Sequence, residues 1–188
     1  MSPPSKHESF VKHLEGLTEN RGALAALRRG LGKRPGEAAE MHRYIVPFLG
    51  GEEPRHEEAY YLVAALFAWH QGSWHHEEGR VTNLGASFAR LAASKESDSI
   101  EKRFVALLNC HREDLDERLR HAVGLLKSKD IPIDWAQLLG DIQGWGWESR
   151  AVQRSWARGF WGSRPGEQPE TATIQDDSEE DAEESEED

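Results

Sequence analysis

Apolar side chains in this sequence recur every three or four residues, and no convincing stretch of them alternates with polar ones. Ile100, Phe104, Leu107 and Leu108 fall at i, i+4, i+7 and i+8 and so share one helix face, and Leu115, Leu119, Ala122, Val123 and Leu126 repeat the arrangement. β-Branched residues are scattered rather than clustered, which removes the usual signature of strands. The spacing therefore predicts an all-α chain.

Caps and breakers divide that pattern into segments. A first short helix is expected over His7–Leu17. Asn20 can cap a second over Arg21–Arg29, which Gly30 and Gly32 stop. Pro35 can open a third that weakens near Pro47, and Pro54 opens a long apolar helix through Trp69. A polar loop should cover Gln71–Arg80. Thr82 or Asn83 caps the next helix, and Ser97 or Asp98 the one after it. Asp134 caps Trp135–Ile142, and a last helix is expected over Glu148–Phe160. With short connections throughout, the chain reads as two small helical bundles, residues 1–95 and 96–164.

Residues 165–188 have little apolar content and 12 acidic side chains with no Lys or Arg, so they are expected to be a disordered acidic tail. The formal charge of −11 belongs to this tail, because setting its 12 acids aside leaves 22 acidic against 23 basic residues, a body of net charge +1. The tail reads as a solubilising segment or as a competitor for a basic surface. The start of the chain lacks the apolar stretch of a signal peptide, and no run nears the ~20 residues that span a bilayer. A cytoplasmic protein without membrane contact is the expectation.

Where the arginines fall matters more than their number. On the last helix Val152, Trp156 and Phe160 form one stripe, while Arg150, Arg154 and Arg158 lie opposite at i, i+4 and i+8, on the side to which Trp161 also projects. No acid lies three or four residues from Arg154. That ladder fits a phosphate backbone, with Trp161 stacking on a base. It fits equally a solvated face paired with acids of a neighbouring helix. Arg21, Arg28 and Arg29 flank the Leu24, Leu27 and Leu31 stripe, where a role at the helix C-terminus competes with ligand binding. Lys102, Arg103, Arg112, Arg118 and Arg120 form a third group, interleaved with Glu101, Glu113, Asp114, Asp116 and Glu117. Arg55 follows Pro54 at a helix start, where free backbone N–H groups attract an anion, although Glu57 and Glu58 could neutralise it.

Catalytic signatures are not found. His70, His75 and His76 with Glu77 and Glu78 are suitable metal ligands, but their spacing matches neither a helical His-Glu-x-x-His nor a zinc-finger pattern, so a polar loop is expected rather than a metal site. The single Cys110 allows no internal disulfide and, in an apolar helical pattern, reads as core. No phosphate loop, dinucleotide fingerprint or nucleophile elbow is present. Neither enzymatic activity nor a cofactor is expected.

Several segments in order resemble the CasB family, the small subunit of the type I-E CRISPR Cascade complex. They are Arg21-Gly22-Ala23-Leu24-Ala25-Ala26-Leu27-Arg28-Arg29-Gly30, Pro54-Arg55-His56, Asn83-Leu84-Gly85-Ala86-Ser87-Phe88 and Lys102-Arg103-Phe104-Val105-Ala106-Leu107-Leu108. The Ile133-Asp134-Trp135 step and the Trp145/Trp147 pair complete the series. The resemblance implies a non-catalytic all-α protein, present as paired copies beside other Cascade subunits. It further implies contact with CRISPR RNA and with the target and displaced DNA strands. Its basic positions map onto Arg28, Arg29, Arg55, Lys102, Arg103, Arg112, Arg118 and Arg120. Beyond the tryptophans the family tends to be more basic than Glu148-Ser149-Arg150, so only Arg150 carries over there. A scaffold touching protein alone and a metal-dependent hydrolase built on the His75/His76 loop are the competing readings.

Overall fold

The computed structural model describes residues 4–51, 53–74, 82–93, 97–146 and 148–162. His75, His76, Trp147 and the acidic tail therefore lie outside the described residues. Nine α-helices account for most of what is described: α1 Lys6–Gly16, α2 Arg21–Arg28, α3 His42–Ile45, α4 Pro54–Trp69, α5 Leu84–Ala92, α6 Ser97–Leu108, α7 Leu115–Lys127, α8 Trp135–Gly144 and α9 Ala151–Trp161. The described chain has no named strand, only an isolated parallel bridge between Ser73 and Ile133.

Three of the caps read from sequence form as expected, while α6 begins at Ser97 itself. Asn20 accepts from Ala23 N at 3.0 Å, Asn83 from Ala86 N at 3.1 Å and Asp134 from Gln137 N at 2.9 Å. Ser5 and Glu8 add a reciprocal capping box on α1. Pro35 does not open a helix. Gly36 directly after it takes φ 84°, outside the right-handed helical region, and helical turns begin only at Ala39. The last helix also starts later than Glu148, because Arg150 is left-handed at φ 48° and stands as the cap of α9 rather than inside it.

α4 is the central rod. Its residues Ala59, Tyr60, Tyr61 and Val63–Ala68 are buried on nearly every side, as expected of a helix that is apolar all round. α2 and α8 pack against it, α1 packs on α8, and α5 lies along α9. The helices on either side of the proposed 95/96 boundary thus share one core, anchored by Trp135, Trp156, Tyr60, Phe67, Phe88 and Phe104.

The α5–α9 seam is the closest approach in the fold. A Cβ on Gly85 would stand 1.9 Å from the Trp156 carbonyl oxygen, and one on Gly159 would stand 2.3 Å from Asn83 Oδ1. Asn83 ties the seam by donating from Nδ2 to the Ser155 carbonyl at 3.0 Å. Behind it, Trp156 donates from Nε1 to Asp141 Oδ2 at 2.5 Å, and Gln137 Nε2 donates to Asp141 Oδ1 at 2.8 Å. Burial pushes the Asp141 carboxyl up to about 6 against these two donors.

Candidate nucleic-acid interface

The seam determines which way α9 faces. Val152, Trp156 and Phe160 are buried, so Arg154 and Arg158 on the opposite face are exposed, and neither side chain bonds to another described residue. Arg150 does not continue that ladder. Its Nη2 donates at 2.7 Å to the Leu108 carbonyl, which satisfies an orphan acceptor at the end of α6. Trp161 remains 37% exposed beside the arginines, set edge-on to Phe104, and its Nε1 donates to Glu101 Oε1 at 3.3 Å. The outer faces of α9 and α6 therefore adjoin, with exposed Lys102 next to Glu101.

The α2 cations are largely engaged by protein. Arg28 donates from Nε to the Ala68 carbonyl at 2.6 Å, closing the end of α4. Arg29 pairs with Glu40 at 2.6 Å, both exposed. A backbone hydrogen bond, and then the Arg29 guanidinium, hold the Glu40 carboxyl below its ordinary value. Arg55 sits exposed in the first turn of α4, without a hydrogen bond or ion pair among the described residues.

The third group splits in space. Arg112 lies in a 3-10 turn before α7 and pairs with Asp116 at 3.4 Å. Arg120 faces the turn from Gly30 to Gly36, close enough to Gly32 that a Cβ there would meet its Nη1 at 2.6 Å. A cavity of about 290 Å³ lies between them, bordered also by Lys33, Arg34, Asp116 and Glu117. Arg103 and Arg118 instead line a separate cavity of about 350 Å³ together with His121. Lys33 lies just beyond the Arg28/Arg29 arc read from the sequence, whereas Arg34 and His121 were not among the residues picked out from it. The i, i+3 step from Arg118 to His121 and the run of cations between Gly32 and Gly36 are the signals that could have found them.

Among the described residues no three His, Cys, Asp or Glu side chains converge as a metal site would require. His70 is buried and its Nε2 donates to the Ile131 carbonyl at 2.7 Å, so it serves the fold. Burial pushes the half-buried Cys110 thiol up, the direction opposite to that of a reactive thiolate. No described helix is long and apolar enough to cross a membrane.

A sequence model of the CRISPR-associated protein Cse2 family matches residues 23–161. The chain belongs to the Cse2 family. A Cse2 protein of Thermus thermophilus is 37% identical over 177 residues, covering 93% of this chain and 99% of the relative. The crystal structure of M. ruber CasB superimposes with a TM-score of 0.73 at 34% identity, over 85% of this chain and 94% of that one. A chain in a structure described as a CRISPR RNA-guided surveillance complex superimposes with a TM-score of 0.72 at 29% identity, over 84% of this chain and 92% of that chain. The CasB resemblance read from the sequence is thereby confirmed. In this Cse2 family member several of the segments that carry the resemblance begin helices: Arg21 starts α2, Pro54 starts α4, Asn83 caps α5 and Asp134 caps α8.

Proposed function

We propose that this chain is a non-catalytic subunit of a CRISPR RNA-guided surveillance complex, and that its basic helix surfaces help hold the guide–target assembly and the displaced DNA strand. The observation that carries the proposal is the likeness, over 84% of this chain and 92% of that one, to a chain found in such a complex. Other subunits of that complex, CRISPR RNA, both DNA strands and a second copy of the chain are the proposed partners. Exposed Arg154 and Arg158 on one rigid face beside Trp161, together with Arg55, Lys102, Arg103 and Arg118, support the nucleic-acid part. Arg28, Arg29, Arg112 and Arg150 already have protein partners and contribute less.

The physical logic is one of small biases. Exchanging a DNA duplex for an RNA–DNA hybrid is nearly balanced, so modest grip on the displaced strand shifts the equilibrium without chemistry. Arginines on stiff helices supply that grip regardless of sequence, because they contact phosphates and release counterions. An exposed indole adds sequence-tolerant stacking.

The test is the double variant Arg154→Glu/Arg158→Glu in the assembled complex. It should assemble normally, lose retention of the displaced strand, and flatten the log–log salt dependence by about 1.4 for two lost phosphate contacts. Normal retention in an assembled double variant would instead favour a scaffold that contacts protein alone. That Arg28 and Arg150 are spent on carbonyls of this chain leaves fewer cations for nucleic acid and favours that reading, and cross-links from Arg154 and Arg158 positions to protein rather than nucleic acid would establish it.

A further inference from the structure

Where α5, α6 and α7 meet, the packing leaves a gap. Phe88, Leu107 and Ala122 are almost wholly buried and form its floor, with Leu125 on one wall, and the cavity measures about 350 Å³. Two of its lining residues are alanines, the exposed Ala106 of α6 and the buried Ala122 of α7. Its volume is that of a small-molecule site. The rim is different in kind. Arg103 from α6 and Arg118 and His121 from α7 are all exposed, and no carboxylate is among the described residues that line the opening. The cavity beside Gly30–Gly36 shows the contrast, since its cations are offset by Asp116 and Glu117.

An apolar recess with two arginines and a histidine at its rim suits a ligand that is flat and apolar at one end and anionic at the other. We propose that this recess receives one unpaired base of a single-stranded nucleic acid, while Arg103 and Arg118 hold the phosphates on either side of it. The inference rests on the nucleic-acid reading above and adds the place where a base enters the protein. A base in a duplex cannot reach the floor, because its edges are paired and its faces stacked. An unpaired one exchanges water for Leu107, Leu125 and Phe88, and its backbone brings negative charge to the arginines of the rim. The recess thereby distinguishes single strands from duplex without reading sequence.

The full-length chain is titrated at low salt with a fluorescein-labelled twelve-nucleotide oligothymidylate and with a fully abasic strand of equal length and charge. The wild type should bind the base-bearing strand at least about fivefold more tightly, the lower end of what stacking one base contributes. Ala106→Phe and Leu125→Trp fill the recess from opposite walls without changing charge, and each should abolish that preference while leaving abasic binding unchanged. A circular-dichroism melt checks that each variant folds, and either one suffices. Trp161→Ala separates the other stacking surface. If the preference survives both fillings, or disappears only in Trp161→Ala, the recess is not the base site. Equal binding of the two strands by wild type overturns the recess but leaves the charge-based reading intact. Binding of neither strand removes both.

Discussion

The α5–α9 seam and the α6–α7 cleft are built from the same kinds of residue, small side chains among aromatics on amphipathic helices, yet they end in opposite states. At the seam, Gly85 and Gly159 let backbones touch, Asn83 donates across it to the Ser155 carbonyl, and Trp156 donates behind it to Asp141 of α8. At the cleft, alanines stand where the helices diverge, so space and two unopposed arginines remain. Paired glycines thus let two helix backbones touch, whereas alanines at the other crossing leave volume between the helices. Crowded interiors tolerate volume changes poorly, whereas an open recess does not resist them.

The comparison can be broken most severely at the seam's anchor. Trp156→Ala should cost about 3–5 kcal/mol of folding stability in urea denaturation, because it removes a fully buried indole and strips Asp141 of a donor. Loss within the range of a surface substitution would mean that the seam is not tightly packed.

Asp141 gives the next largest effect, through pH. Its carboxyl is raised from an ordinary 3.8 to about 6, so the folded state binds the proton more readily than the unfolded chain. Its contribution is fully present below about 3.8, falls as pH rises, and is lost once pH passes about 6. The span corresponds to about 3 kcal/mol. Asp141→Asn should flatten the difference in stability across that window, and an unchanged slope would place the proton elsewhere.

Gly85→Ala should cost about 1–3 kcal/mol, since its Cβ cannot coexist with the Trp156 carbonyl and the helices must separate. Ala106→Leu at the cleft should stay within about 0.5 kcal/mol, and the contrast between the two small-to-larger changes measures the difference directly. The arginines of α9 sharpen it further. Arg150→Ala should lose about 1 kcal/mol with its bond to Leu108, whereas Arg154→Ala should change thermal stability hardly at all. Equal losses would mean that Arg154 is also a structural residue.

Much of this was legible in advance because it is local. Asn20, Asn83 and Asp134 cap helices by reaching three residues along the chain, and the stripe Val152, Trp156 and Phe160 needs only helical geometry to be placed inside. The exposure of Arg154 and Arg158 follows from the same geometry. The errors were local too: Gly36 cancels the start offered by Pro35, and the left-handed Arg150 delays α9.

What the sequence by itself determined is the helical period, the caps and the face each helix turns inward, since these depend on neighbours within a turn or two. Only the tertiary structure decided the fate of individual cations. Arg28 and Arg150 are consumed by carbonyls 40 and 42 residues away, and Arg103 and Arg118 meet across a cleft between two helices. A guanidinium's partner is set by which helix ends and surfaces are brought within about 3 Å of it, and that distance does not exist until the helices pack.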